Sequence, residues 1–248
     1  MTEERITAER YDAVLFDLDG VLTKTAAVHE TAWKAMFDGY LRERANREHA
    51  AFRPFTDDDY IRYVDGRPRE DGVTSFLASR SIDIPLGEPG DGSGRETAWG
   101  LGNRKNELFQ QVLDREGVEA YPDGVALLRG VRAAGIRTAV VSSSANTAAV
   151  LQAAGIAELF DARVDGTTVE RLGLAGKPAP DEYLEAAREL GVEPARAVVV
   201  EDAISGVQSG HAGGFGLVVG ANRRDDGDEL RANGADVAVT DLATLLPR

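Results

Sequence analysis

One short segment, residues 13–20 (AVLFDLDG), constrains the fold of this chain more than any other. An apolar run closed by a glycine is typical of a buried parallel strand that ends in a tight turn. Residues two apart on an extended chain point the same way, so Asp17 and Asp19 are expected side by side at the carboxyl end of the strand. Open α/β sheets bind their ligands at that end. Two carboxylates this close need a compensating cation or proton.

Beyond residue 121, strand-like and helix-like segments alternate. Strands are predicted at 138–141, 160–164, 197–200 and 216–219, and helices at 123–134, 146–154, 180–190 and 203–212. Alternation of this kind indicates the α/β class with a doubly wound, Rossmann-like parallel sheet, which the strand before Asp17 must join to be buried on both faces. Residues 24–118 are mostly helical, with a long exposed Gly-rich loop predicted at 86–102. The predicted domains are an α/β core of residues 1–23 and 119–248 and a helical insertion of residues 24–118.

Charge and cysteine content narrow the class of protein. The chain has 42 acidic and 28 basic side chains, which argues against general binding to nucleic acid or to anionic membranes. It has no cysteine, so disulfides are excluded and zinc sites are disfavoured. The polar, acidic start is unlike a signal peptide, and no apolar stretch has the length of a membrane span, so a cytoplasmic location is expected. An anionic substrate would need a local basic pocket on this acidic protein.

Three later motifs are expected at the same edge of the sheet as Asp17. The segment 142–146 (SSSAN) follows a strand and begins a helix, where hydroxyls and free N–H groups suit a phosphate, although plain helix capping would be the better interpretation if the motif stood alone. Lys177 lies between a glycine and a proline, and by itself would be a solvated lysine. Glu201 and Asp202 follow another apolar strand, and Asp202 could alternatively cap the next helix.

Taken in order, Asp-x-Asp-Gly, strand-Ser, Gly-Lys-Pro and strand-Glu-Asp resemble the four motifs of the haloacid dehalogenase superfamily of phosphotransferases. The resemblance implies that Asp17 is a nucleophile that forms an aspartyl-phosphate, and that Asp19 is the general acid and base. Ser142 and Lys177 would hold the oxygens of the transferring phosphoryl group. Haloacid dehalogenases themselves do not use a second Asp at the position of Asp19, so phosphoryl transfer is favoured over dehalogenation.

The same resemblance implies Mg²⁺ as the cofactor. The ion would be held by Asp17, by the backbone carbonyl of Asp19 and by Asp202, with Glu201 in support. A ligand set made only of oxygen atoms suits a hard cation that keeps some of its waters.

Several further residues resemble the β-phosphoglucomutase group of this superfamily, in which the insertion is a helical cap. The matching positions are Thr25, His29, Trp33, Arg69 and Lys105 in the insertion and Ser144 and Asn146 in the core. The resemblance implies that Arg69 clamps the phosphate that is not transferred, that Lys105 contacts sugar hydroxyls and that His29 couples cap closure to proton transfer. Ser144 and Asn146 would help to bind the distal phosphate. Without the shared pattern, His29, Arg69 and Lys105 would be ordinary helix or surface residues.

The chain departs from that group at two positions, since Lys24 stands where an acidic residue is common and Ala145 where a basic residue is frequent. The predicted function is a Mg²⁺-dependent phosphotransferase that interconverts β-glucose 1-phosphate and glucose 6-phosphate through a bisphosphate intermediate. A phosphatase acting on small sugar or polyol phosphates is the alternative, and a non-enzymatic module that binds phosphorylated metabolites is a third possibility. The expected partner is a small phosphorylated sugar, without nucleic acid or membrane, and a monomer is favoured.

Overall fold

The computed structural model describes residues 5–246, apart from the side chains of Ala26, Ala27, Asp114 and Glu116. The chain divides into two compact units. The α/β unit consists of the described residues up to Lys24 and those from Val118 onward, and the helical unit spans Thr25–Gly117. None of the helices in the described part of the chain combines the length and apolar character needed to cross a membrane.

The helices and strands follow in a regular order. The strands are β1 (Ala13–Phe16), β2 (Arg137–Val141), β3 (Ala162–Val164), β4 (Ala197–Glu201), β5 (Leu217–Ala221) and β6 (Val237–Val239). The helices of the helical unit are α1 (Ala26–Glu48), α2 (Asp57–Tyr63), α3 (Arg69–Ser79) and α4 (Ala98–Glu116). Those of the α/β unit are α5 (Pro122–Ala133), α6 (Thr147–Ala153), α7 (Gly166–Leu172), α8 (Asp181–Leu190), α9 (Ile204–Ala212) and α10 (Gly227–Ala232).

The sheet is parallel throughout, in the strand order β3-β2-β1-β4-β5-β6. All residues of β1 are buried, as expected for the central strand of a sheet that is covered on both faces. Its neighbours are β2 and β4, and Phe16 lies in register with Val140 and Val200. The doubly wound fold is confirmed, and this register brings the residues that follow the three strands to one edge.

Two predictions about secondary structure need correction. The 160–164 strand begins only at Ala162, and α7, which follows β3, was not predicted. Helix α7 has only seven residues, and its amino end is held by Asp165, whose carboxylate accepts from the N–H groups of Thr167 and Thr168 at 3.1 Å each. Seven residues form only about two helical turns, so the apolar residues of the sequence show little of the periodicity by which a helix is predicted.

The predicted loop 86–102 is too long, because α4 already begins at Ala98. The hydroxyl of Thr97 caps this helix by accepting from the N–H of Gly100 at 3.0 Å. Glycines favour a loop prediction because they are poor helix formers. Here Gly100 serves close packing instead, since a Cβ at that position would overlap the carbonyl oxygen of Arg95.

The helical unit is built around stacked aromatic rings. Phe37 lies at its centre, with ring centroids 5.3 Å from Trp33, 5.0 Å from Phe55 and 4.3 Å from Phe76. All four side chains are buried. Aromatic pairs at these separations stabilise a core beyond the area that they bury.

The exposed part of the loop before α4 is organised around Asp91. Its carboxylate accepts from the Thr97 hydroxyl at 2.6 Å and from the Glu88 N–H at 3.2 Å, and it pairs with Arg95 at 3.0 Å. The hydrogen bond from Thr97 holds the pKa of Asp91 below its ordinary value. The side-chain amide of Asn103 donates to the backbone carbonyl of Asp91 at 2.8 Å. The loop is therefore tied to the start of α4 rather than held only by its ends.

Replacing Asp91 with alanine should loosen this loop, because Thr97, Glu88 and Arg95 lose their shared acceptor. We expect amide hydrogen exchange in residues 87–97 to become roughly tenfold faster. Acidification should have the same effect in the wild-type chain, since a lowered pKa means that the bonds of the ionised carboxylate are lost only as the pH falls through that pKa. The matched control is Asp83→Ala, an exposed residue earlier in the same connection. Unchanged exchange in the Asp91 variant would contradict this account.

Candidate active site

The carboxyl ends of β1, β2 and β4 bring the predicted motifs of the α/β unit together. The N–H of Asp17 continues the ladder by donating to the Val200 carbonyl at 2.9 Å, and the N–H of Ser142 donates to the Val164 carbonyl at 3.0 Å. Glu201 is the last residue of β4. Because the strands are parallel, the predicted motif that follows each of them lies at the same edge of the sheet, as expected for ligand sites of open α/β sheets.

Lys177 forms the buried centre of this site. Its Nζ lies 2.7 Å from Asp17 Oδ1 and 2.7 Å from Glu201 Oε1, and its side chain is 0% exposed. Burial disfavours the ammonium, but Asp17 and Glu201 more than offset that effect, and the pKa of Lys177 lies well above its ordinary value. The ammonium also lies 4.9 Å from the ring centre of Tyr183. Lys177 is therefore a fixed cation and not a solvated surface lysine.

Both carboxylate oxygens of Glu201 accept hydrogen bonds. Oε1 accepts from Lys177 and, at 3.1 Å, from the Tyr183 hydroxyl. Oε2 accepts from the backbone N–H groups of Asp202 and Ala203 at 2.9 Å each. A carboxylate has about four acceptor positions, and these four bonds fill them. Glu201 thus holds Lys177 and the turn after β4 in place.

The site carries more negative than positive charge. Oxygens of Asp17, Glu201 and Asp202 lie within 4.8 Å of one another, and all three residues are buried. Burial raises the pKa of Asp17 well above its ordinary value; Lys177 opposes the rise, while Glu201, Asp19 and Asp202 add to it. A buried cluster of oxygen donors with excess negative charge fits a hard divalent cation such as Mg²⁺.

The turn after β1 packs directly against Asp202. Gly20 has φ +87°, a conformation that favours glycine, and a Cβ there would overlap the Asp202 carboxylate. Only a glycine lets the backbone approach the Asp202 carboxylate this closely.

The segment 142–146 forms a compact loop before α6. The hydroxyl of Ser142 accepts from the N–H of Ser144 at 3.2 Å and lies 3.5 Å from Asp19 Oδ2. The hydroxyl of Ser144 accepts from the N–H of Asn146 at 3.2 Å. Asn146 occupies the N-cap position of α6, but its side chain makes no capping bond there. Simple capping by Asn146 therefore does not account for this motif.

Within the helical unit, three of the predicted substrate-binding residues come together. Lys105 Nζ lies 2.6 Å from His29 Nδ1, and both residues are buried. The ammonium also lies 5.2 Å from the ring centre of Trp33 and 5.1 Å from that of Phe109. Phe109 stacks on the His29 ring with centroids 4.1 Å apart. An ammonium can only donate, so Nδ1 of His29 is the acceptor when Lys105 is protonated.

The other two predicted residues of the helical unit lie at helix starts. Thr25 is buried at the N-cap position of α1, without a capping bond from its side chain. Arg69 is the first residue of α3, and its aliphatic stem lies close to Gly102 of α4.

A family model for haloacid dehalogenase-like hydrolases matches residues 11–214. The chain belongs to this family. Over 242 residues it is 53% identical to a β-phosphoglucomutase of Mycobacterium tuberculosis strain CDC 1551, and the match covers 96% of this chain and 92% of the relative. A Bacillus subtilis β-phosphoglucomutase is 32% identical over 226 residues, which cover 88% of this chain and 87% of that one.

A solved structure of Clostridium difficile β-phosphoglucomutase has the same fold, with a TM-score of 0.74 at 23% identity over 95% of this chain and 93% of the other. The predicted superfamily, its β-phosphoglucomutase group and the fold class are confirmed. The prediction of an enzyme of the phosphotransferase or phosphatase kind is confirmed by the same family membership.

Glu201 and Asp202 are adjacent in the chain but make different contacts in this haloacid dehalogenase-like site. Ala203, the residue after Asp202, occupies the N-cap position of α9. The Asp202 carboxylate lies in the candidate metal cluster with Asp17. Asp17 thus contacts the fixed ammonium of Lys177 and also belongs to a cluster of oxygens that could hold a cation.

Sequence reasoning missed two buried residues on α8, Glu182 and Tyr183. The Ser143 hydroxyl donates to the Glu182 carboxylate at 2.9 Å, and burial raises the pKa of that carboxyl group. A signal was present, because Glu182 shares the buried face of α8 with Tyr183, Ala186 and Leu190. A carboxylate on the apolar face of a helix is a candidate for a specific role.

Arg223, in the loop after β5, was also missed. It donates to the carbonyls of Gly20 at 2.9 Å and Val21 at 3.2 Å and forms a bidentate pair with Asp123 at 2.8 and 3.1 Å. Its guanidinium lies 4.0 Å from the ring centre of Tyr121. Arg223 therefore fixes the turn that follows Asp17 and Asp19, although more than 200 residues separate it from that turn. No local sequence pattern reports such a contact.

We expect Arg223→Ala to lower the free energy of unfolding by about 2 kcal/mol, because the half-buried Asp123 carboxylate loses its charge partner and the carbonyls of Gly20 and Val21 lose the guanidinium as a donor. Urea unfolding followed by circular dichroism measures this loss. Arg231→Ala is the matched control, since Arg231 is exposed and pairs only across one helical turn with the fully exposed Asp228. Equal unfolding midpoints for the two variants would argue against a role of Arg223 in holding the turn.

Proposed function

We propose that this protein is a Mg²⁺-dependent β-phosphoglucomutase that interconverts β-glucose 1-phosphate and glucose 6-phosphate. The observation that carries the proposal is 53% identity to a protein of that name over 96% of this chain and 92% of the relative. The buried cluster of Asp17, Lys177, Glu201 and Asp202 supports it, because phosphoryl transfer needs a nucleophile, charge neutralisation and fixed positioning.

In the proposed reaction, an oxygen of Asp17 attacks phosphorus, the bond from phosphorus to the sugar oxygen breaks, and Asp19 gives that oxygen a proton. Asp19 then takes the proton of the sugar hydroxyl that attacks phosphorylated Asp17, and the carboxylate is restored. Ser142 and Lys177 hold the oxygens of the transferring group. Burial disfavours the ammonium of Lys177, but its two anionic neighbours outweigh that effect and keep it protonated, so its positive charge is available throughout.

Asp17, the backbone carbonyl of Asp19 and Asp202 would hold Mg²⁺, while Glu201 positions Lys177 and the turn beside it. When bound, the ion reduces the repulsion between the nucleophilic carboxylate and the incoming phosphate. Glu201 would support the metal site indirectly, because both of its carboxylate oxygens already accept hydrogen bonds from Lys177, Tyr183 and the backbone.

The substrate-binding roles remain proposals. Arg69 would clamp the phosphate that is not being transferred, assisted by Ser144 and Asn146, and Lys105 would contact sugar hydroxyls. With the Lys105 ammonium donating to Nδ1 of His29, the ring proton of His29 resides on Nε2. Nε2 would then donate the hydrogen bond by which His29 couples cap closure to proton transfer. Thr25 and Trp33 would shape the same part of the site, Trp33 through its contact with the Lys105 ammonium.

A phosphatase on small sugar or polyol phosphates is the second candidate. The family model describes hydrolases, and the residues of the α/β unit would serve water as well as a sugar hydroxyl. In that case water attacks phosphorylated Asp17 and inorganic phosphate leaves. The cytoplasmic location and the monomeric state stay predictions.

Purified protein with Mg²⁺, β-glucose 1-phosphate and a glucose bisphosphate primer should produce glucose 6-phosphate, measured by a coupled dehydrogenase assay. Asp17→Asn should abolish turnover, because the amide is a poor nucleophile. The matched control is Asp228→Asn, whose side chain is fully exposed and should leave turnover unchanged. Release of free phosphate without glucose 6-phosphate would replace the mutase proposal with the phosphatase.

The distal-clamp role of Arg69 predicts a selective loss. Arg69→Ala should reduce mutase turnover on the order of tenfold to a hundredfold, the usual effect of removing a charged hydrogen bond, while hydrolysis of a generic aryl phosphate changes little. Arg62→Ala, an exposed arginine on α2, serves as the matched control. Equal losses with both substrates would rule out the clamp.

A further inference from the structure

Glu182 has no part in the phosphoryl-transfer steps described above, yet it lies among the groups that carry them. Its side chain is 0% exposed, at the first turn of α8. The Ser143 hydroxyl donates to its two carboxylate oxygens at 2.9 and 3.2 Å. The Lys177 ammonium is near enough to favour the ionised form of this carboxylate. One buried anion thus joins the serine loop to the first turn of the helix that follows the catalytic lysine.

The three serines of the loop have different partners. The hydroxyls of Ser142 and Ser144 accept from backbone N–H groups inside the loop, whereas the Ser143 hydroxyl donates out of it to Glu182. The end of β2 is otherwise joined to the lysine by a 3.5 Å contact between Lys177 Nζ and the Val141 carbonyl. The bonds from Ser143 to Glu182 are shorter and involve a charged acceptor, so they are the stronger link between the serine loop and the segment that follows Lys177.

A buried carboxylate is costly unless charge partners and hydrogen bonds compensate it. Glu182 has both, namely the hydrogen bonds from Ser143 and the nearby Lys177 ammonium. It also lies at the amino end of a ten-residue helix, where negative charge is favoured. These contacts constrain position more than they add to stability, because an apolar residue at this point would avoid the desolvation cost altogether.

We propose that Glu182 is a positioning residue for phosphoryl transfer. Its carboxylate, acting through Ser143, fixes the serine loop to the first turn of α8, shortly after Lys177 in the chain, so that Ser142 and Lys177 contact the same phosphoryl group. The inference rests on the proposed transfer to Asp17, but not on the identity of the sugar.

The test compares Glu182→Gln, Ser143→Ala and the double variant with the wild-type chain. Single-turnover phosphorylation of Asp17 by an aryl phosphate with Mg²⁺ should slow about tenfold in each single variant, because a small misplacement of catalytic groups is enough for such a loss. The phosphorylation rate of the double variant should be no lower than that of the slower single variant, because both changes break the same linkage. Glu189→Gln, an exposed carboxylate on the same helix, is the matched control.

A second measurement does not depend on activity. In the metal-free protein, amide hydrogen exchange of residues 142–146 should become several-fold faster in Ser143→Ala and Glu182→Gln, and stay unchanged in Glu189→Gln. Faster exchange together with slower phosphorylation supports the positioning role. A lower unfolding temperature with the phosphorylation rate within about twofold of wild type overturns it, as do additive losses in the double variant.

If Glu182→Gln does not fold, Ser143→Ala decides alone by the same criteria, because it removes only one hydroxyl from the linkage. If the wild-type chain itself forms no phosphorylated Asp17, the proposed chemistry fails rather than the role of Glu182. An active wild-type chain with unaffected variants overturns the role of Glu182 alone.

Discussion

The buried ion pairs of Lys177 with Asp17 and Glu201 are the interaction on which the rest of the site depends. Taking these charges out of water is expensive, and the attraction between them compensates only if the geometry is well defined. That geometry comes from the sheet, because β1 and β4 are adjacent and in register, so that Asp17 and Glu201 leave it at the same edge. The fold and the charge cluster therefore stabilise one conformation together.

The charge cluster also explains why two adjacent acids differ in role. Glu201 uses both oxygens to hold Lys177, Tyr183 and two backbone N–H groups, so it stays in place whatever the site binds. Asp202 is one residue further along, beyond the end of β4, and lies beside Gly20 and Asp17. Strand geometry thus turns a Glu-Asp dipeptide into one positioning group and one candidate metal ligand.

The sequence was sufficient to predict the features that depend on local pattern. The parallel sheet follows from apolar runs such as 13–16, and the family follows from the order of four motifs. It was insufficient where a residue acts through a distant partner. Glycine at position 100 predicts a loop, because residue propensities do not report its close contact with Arg95. The bonds of Arg223 to the Gly20 turn join segments far apart in the chain, and no local pattern predicts them.

The core chemistry does not by itself choose between water and a sugar hydroxyl as the acceptor. The roles proposed for Asp17 and its neighbours are those of a nucleophile, a proton carrier and charge compensation, and each of these would serve either acceptor equally well. A hydroxyl that is held in the reactive position can reach effective concentrations on the order of 10⁵ M or more, far above that of water. Tight binding of the sugar is therefore enough to favour transfer over hydrolysis without any change at Asp17. The balance between mutase and phosphatase must then be set by residues that bind the far end of the substrate, for which Arg69 and Lys105 are the proposed candidates.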